Sequence, residues 1–150
     1  MSTTKSKDYI EQMGEWFEKF PPLPKNWRET VVKITPILSL VFGVLGILVS
    51  ISGLGVLTVT SPLSVLGGAS TVSSYGTGFF ATIIYLAASV LLLAAFPGTK
   101  AKKYNGWKLL FWSEALNLVG GVVGLSSIVS AIIGALIGFY LLFQIRSYYK

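Results

Sequence analysis

Apolar residues fall in two long blocks separated by a short basic stretch. From Ile34 to Thr99 no Asp, Glu, Lys or Arg interrupts the chain, and a second charge-free run extends from Ala115 to Ile145. A bilayer core about 30 Å thick takes roughly 20 apolar residues per helix. Helix-breaking and small polar residues divide the blocks into four spans, at about 34–58, 77–96, 107–125 and 128–145. The fold class this predicts is an all-α integral membrane protein, an up-down bundle of four transmembrane helices preceded by an amphipathic interfacial helix. Residues 1–24 then form a cytoplasmic amphipathic helix and Pro-rich linker, and residues 25–150 the transmembrane domain.

A different period marks the N-terminal region. Tyr9, Met13, Trp16, Phe17 and Phe20 recur at helical spacing, while Lys7, Asp8, Glu11, Glu15, Glu18 and Lys19 take the remaining positions. Such a helix anchors in the membrane interface through its aromatic face. Charges throughout this region leave no apolar stretch of the kind a signal peptide needs. Pro21, Pro22 and Pro24 end the helix, since proline lacks the amide donor. Asn26 and Glu29 resemble a capping box, which puts the next helix start near Trp27. Pro36 is expected to kink or restart the first span. The uncharged Ser-, Thr- and Gly-rich residues 59–78 read as a long outer connection. Ser61-Pro62 would start a short helix there, and a re-entrant loop is the alternative.

Small residues recur within the spans and predict close helix packing. Gly43 and Gly46 lie in the first span, Gly120 and Gly124 in the third, and Ser130, Gly134 and Gly138 in the fourth. A tight hairpin of the last two spans would set Gly120 and Gly124 opposite the Ser130–Gly134–Gly138 stripe. Leu40-Val41-x-Gly43-Val44-x-Gly46 also matches Leu118-Val119-x-Gly121-Val122-x-Gly124, which reads either as a duplicated hairpin or as shared membrane composition.

Charge fixes the orientation. All 12 basic residues fall before Ile34, between Lys100 and Lys108, or from Arg146 onward. By the positive-inside rule both termini and the middle loop are cytoplasmic, in a multi-pass protein of the cell (cytoplasmic) membrane. The net charge of +6 is thereby accounted for beside a lipid bilayer, with no nucleic acid as partner. Cysteine and histidine are both absent. That removes disulfides, thiolate chemistry and the commonest metal ligand and general base.

One residue stands out chemically. Glu114 is the only acidic residue inside any span, with Asn117 one turn on. Intramembrane carboxyls are costly and serve function by default. Ser39, Tyr140 and Gln144 reach its level in an up-down bundle, and Lys33 or Arg146 would be its counter-ions. Glu114, Asn117, Tyr140 and Gln144 therefore form the candidate polar site. A hydrolase needs a nucleophile with a base, and Glu114 is the only base candidate within the spans, so no enzyme and no cofactor is expected. The favoured reading is a structural or accessory subunit packing in a membrane assembly or homo-oligomer. The alternative is a small ion or solute transporter or channel subunit that uses Glu114.

Overall fold

The computed structural model describes residues 8–124 and 128–150. Helix α1 (Tyr9–Phe17) is followed by α2 (Lys25–Ser64), a single 3-10 turn at Val65–Gly67, α3 (Ala69–Lys100), α4 (Tyr104–Val123) and α5 (Ile128–Ile145), with a last 3-10 turn at Arg146–Tyr148. Among the described residues there is no strand. Three stretches, Lys25–Gly67, Ala69–Lys100 and Ile128–Tyr148, are long and apolar enough to cross a membrane. Helix α4, broken up by Lys108, Glu114 and Asn117, has the length but not the apolarity.

Two expectations about α2 give way. It starts at Lys25 with Pro24 in the cap position, and Asn26 makes no side-chain cap. Proline is pre-set for a helix start, which takes the boundary ahead of the asparagine. The helix also continues through Pro36 without a restart. Thr35 and Ser39 beside it donate to the carbonyls of Val31 and Pro36 at 2.6 and 2.8 Å, so the polar groups near the interruption stay partnered.

The long outer connection is also absent. Residues 59–78 are almost wholly helical, and the chain reverses at Gly68, whose φ of 82° suits a residue without Cβ. Hydroxyl groups made this stretch read as a loop, but they fold back on their own helices. Thr58, Thr60, Thr71 and Ser74 each donate to the carbonyl four residues earlier at 2.7–3.0 Å. Bonded this way, Ser and Thr no longer compete for the backbone and are tolerated within a helix.

The interior is built from small side chains and the exterior from large ones. Ala81, Ala88, Ala95, Ser39, Ser50, Ser89, Thr99 and Ser113 are buried, whereas Ile37, Phe42, Leu48, Val49 and Ile137 are more than half exposed. Lipid is as apolar as leucine, so helices associate there through close backbone approach rather than by hiding apolar surface. A methyl on Gly43 would lie 2.8 Å from the Leu93 backbone nitrogen, and one on Gly46 would overlap the Ser89 hydroxyl. Gly98 of α3 and Gly106 of α4 meet as closely, with 2.7 Å from such a methyl to the Gly106 Cα. Gly120 packs on the Tyr85 ring of α3, not on α5, and Gly121 takes the place facing Ala131. Gly134 has nothing within 4 Å of its Cβ position. Ser130 is exposed and Gly124 caps α4, while Gly138 of the expected stripe does meet α4, at Glu114.

At the end of the bundle carrying the basic loop, aromatic residues take over. Trp107 is fully buried, stacks on Tyr104 and Phe111, and donates its indole N–H to the Leu142 carbonyl at 2.7 Å. The C-terminal residue is clasped to the α3–α4 loop. Lys150 donates its amide to the Lys102 carbonyl and accepts from the Tyr104 amide, both at 3.0 Å.

The seams sort the glycines by their role. Gly43→Leu should overpack the α2–α3 contact and destabilise by about 1–3 kcal/mol, whereas Gly134→Leu should change stability by less than about 0.5 kcal/mol. Unfolding of both variants in graded denaturing detergent checks the contrast.

Candidate functional site: a groove around Glu114

Helices α2 and α3 pack tightly, as do α3 and α4, but α2 and α5 meet only sparsely. A groove of about 690 Å³ remains between them. Along α2 it is lined by Val31, Thr35, Leu38 and Ser39, Phe42, Gly46, Val49 and Ser50, and Gly53. That spacing of three and four residues is one stripe of a helix, and at 1.5 Å per residue it runs for about 33 Å. The groove is thus about as long as a bilayer core is thick.

Glu114 and Asn117 of α4 both line it, together with Ser113, Thr82, Tyr85 and Ser89. Glu114 lies ten residues into α4, about 15 Å from its basic end, so its carboxyl sits near the middle of the groove. It rests against Gly138 of α5, where a methyl would overlap the carboxyl oxygen Oε1. Glycine at this position is what gives the carboxyl room. Among the described residues no hydrogen bond or ion pair reaches Glu114 or Asn117.

Four of the neighbouring hydroxyls are already committed as donors. Ser113 donates to the Ala88 carbonyl at 2.8 Å, Ser89 to Tyr85 at 2.8 Å, Thr82 to Gly78 at 2.7 Å and Thr35 to Val31 at 2.6 Å. Their oxygen lone pairs are what remains for a guest. Among the described residues no Lys or Arg lines the groove. A carboxylate with acceptors around it and no cation beside it makes an electronegative interior, suited to a positive charge or a proton.

The expected partners of Glu114 are spent elsewhere. Gly138, Leu141, Leu142 and Ile145 face the groove, which turns Tyr140 and Gln144 toward the N-terminal segment. Tyr140 donates its hydroxyl to the Pro21 carbonyl at 2.6 Å, and Gln144 Oε1 accepts the Leu23 amide at 3.2 Å. Arg146 lies over the Tyr104 and Trp107 rings, 5.8 and 5.4 Å from their centroids, and donates to the Tyr104 hydroxyl at 3.3 Å. Lys33 is exposed and outside the groove. Of the four residues expected to form the polar site, only Glu114 and Asn117 come together.

The anchoring face of α1 is divided as well. Ile10, Gly14 and Phe17 are buried, and Phe17 stacks on Phe143 with centroids 5.3 Å apart. Tyr9, Trp16 and Phe20 remain 81%, 61% and 46% exposed, with Met13 partly buried between the two sets. One side of the helix grips α5 and the other projects aromatic rings outward.

Reasoning from sequence missed Ser113, Ser50, Tyr85 and Thr82 as lining residues. The signal for α2 was present in the spacing Thr35, Ser39, Phe42, Gly46, Ser50 and Gly53. An equivalent stripe marks α3, where Thr82, Tyr85 and Ser89 are the polar side chains between Phe79 and Phe96 and recur at spacings of three and four. Among the described residues no three His, Cys, Asp or Glu side chains gather where a metal ion would be held. No family profile matches the chain, and neither curated proteins nor solved structures give a match.

The linker bonds make a separable prediction. Tyr140→Phe with Gln144→Leu should remove about 1 kcal/mol per hydrogen bond from the docking of α1 and leave the groove intact. Faster tryptic cleavage at Lys19 and Lys25, with unchanged helicity, is the expected readout.

Proposed function

We propose that this is a four-span membrane protein that binds and passes a cation, the proton included, at Glu114. The observation that carries the reading is the unpartnered carboxyl halfway along a groove of bilayer length. A merely structural acid at that depth would be paired or turned to the surface, because a charge there costs a few kcal/mol. A group kept without a partner is available for one that comes and goes.

In this reading α4 is the fourth span. Its 20 residues match a bilayer core, and its polar side chains Ser113, Glu114 and Asn117 turn into the groove. All basic residues then lie on one side, which makes it the cytoplasmic face of the cell membrane, with α1 lying in the interface and its exposed Tyr9, Trp16 and Phe20 among the headgroups.

A second reading, a packing subunit of a larger assembly, draws on a different feature. Helices α2 and α3 extend about 60 and 48 Å, whereas α4 and α5 reach only about 30 and 27 Å. The α2–α3 hairpin therefore overhangs the bundle, and its tip exposes Val56, Val59, Leu63, Val65 and Leu66 by 63–86%. A second copy or another membrane protein covering this tip would remove that surface from water. Both readings hold together if the protein works as an oligomer.

Two measurements address the proposal. With single cysteines at the exposed Ser73 and Ala101, an impermeant thiol reagent should label intact cells at Ser73 and not at Ala101. The reverse pattern would refute the orientation. In liposomes, purified protein should raise proton or monovalent-cation flux above that of empty vesicles, and Glu114→Gln should abolish it while folding is kept. Equal flux in both proteins removes Glu114 from the mechanism, and no flux in either removes the transport reading for those ions.

A further inference from the structure

The walls of the groove say more about its guest than the carboxyl alone does. Phe42 and Val49 on the rim are 57% and 70% exposed, and α2 and α5 do not close over the mouth. The groove therefore opens sideways, toward what surrounds the bundle, and not only toward its ends. Its volume of about 690 Å³ lies within the range of roughly 300–1,000 Å³ typical of small-molecule sites.

A hard metal ion is poorly served here. Such ions take six or more oxygen ligands, several of them charged or carbonyl. Glu114 supplies the only carboxylate in the groove, and Asn117 the only side-chain amide. An ammonium or phosphonium charge carried on an apolar body has other needs. One carboxylate balances its charge, and apolar walls cover the rest. Leu38, Phe42, Leu141 and Leu142 supply such walls on the two sides of the mouth.

The geometry points to the groove as a binding site for amphipathic organic cations, which enter from the lipid between α2 and α5 and set their charge beside Glu114. Charge complementarity selects this occupant, since among the described residues no basic side chain lines the groove and Arg146 is held by the Tyr104 and Trp107 rings. The inference rests on reading Glu114 as a functional carboxyl and adds the class of cation it takes.

A pair of ions of one shape and opposite charge tests it. Protein in nanodiscs of neutral lipid is dialysed to equilibrium against labelled tetraphenylphosphonium or tetraphenylborate, with empty nanodiscs as background. The cation should bind saturably and the anion should not. Glu114→Gln should weaken cation binding about tenfold or more. Val49→Trp, on the exposed rim, should fill the mouth and weaken it severalfold with the fold kept. If the Gln variant fails to fold, the rim variant and the anion decide alone. Equal binding of both ions, or unchanged affinity in the variants, overturns the inference. Glu114-dependent proton flux without phosphonium binding overturns it too, but leaves the proposed function standing; the absence of both removes both. Disulfide crosslinking of Phe42→Cys between two copies in the nanodisc would show the groove filled by a second chain, and would also overturn it.

Discussion

Close approach of helix backbones at small residues is the contact on which the other features of this protein depend. In lipid there is little to gain from burying a leucine, so the helices hold together by dispersion at short range and by hydrogen bonds. Gly43 and Gly46 bring α2 onto α3, and Gly98 with Gly106 bring α3 onto α4. Helix α3 thus packs closely on both α2 and α4. Helix α5 shares only part of this chemistry. Gly121 admits Ala131, but toward α2 it presents Leu141, Leu142 and Ile145. Branched and bulky side chains hold α2 and α5 apart, and the groove is the space they leave. It is a product of unequal seams, not of a separately built pocket.

Polar groups within the bundle divide into two kinds. Ser89, Thr82 and Thr35 donate to carbonyls of their own helices, and Ser113 to the neighbouring Ala88 carbonyl. They have little to exchange with a guest beyond a lone pair. Glu114 and Asn117 make no such bond and line the groove, and an ionised carboxylate has no proton to give to a carbonyl. The least satisfied polar groups thus fall within one turn of α4.

How much of this was written in the sequence varies with the type of signal. Charge-free stretches located the apolar helices and Pro21, Pro22 and Pro24 the break before α2, whereas Pro36 and Pro62 lie inside α2 and Pro97 inside α3. Glu114 was conspicuous as the one acid among apolar residues. The extent of α2 and α3 was not legible, because Ser, Thr and Gly carry the same symbols in a loop as in a back-bonded helix. Partners of Glu114 were misassigned for a related reason. Depth along a helix follows from counting residues, but direction around the axis depends on which neighbour the helix meets. Tyr140 and Gln144 have the right depth and the wrong direction, since Gly138 had already turned the other face of α5 to the groove. The glycines show the same limit. Gly120 and Gly134 were placed correctly on their helices, yet only packing decides that Gly120 meets Tyr85 and that Gly134 meets nothing in this chain. The matched segments around Gly43 and Gly121 fare better, for each of these two glycines faces the helix that follows it.

The ties between the N-terminal segment and α5 also bear on biogenesis. The Pro21 and Leu23 bonds to Tyr140 and Gln144 join residues 119 and 121 positions apart. A ribosome emits α1 well before α5, the surface it docks on. Until α5 has been made, α1 has no such seat. Contacts of this span are slow to form, because a long loop must close before they are rewarded. The docking of α1 therefore waits for a later helix, and its arrival marks a chain in which α5 is already in place.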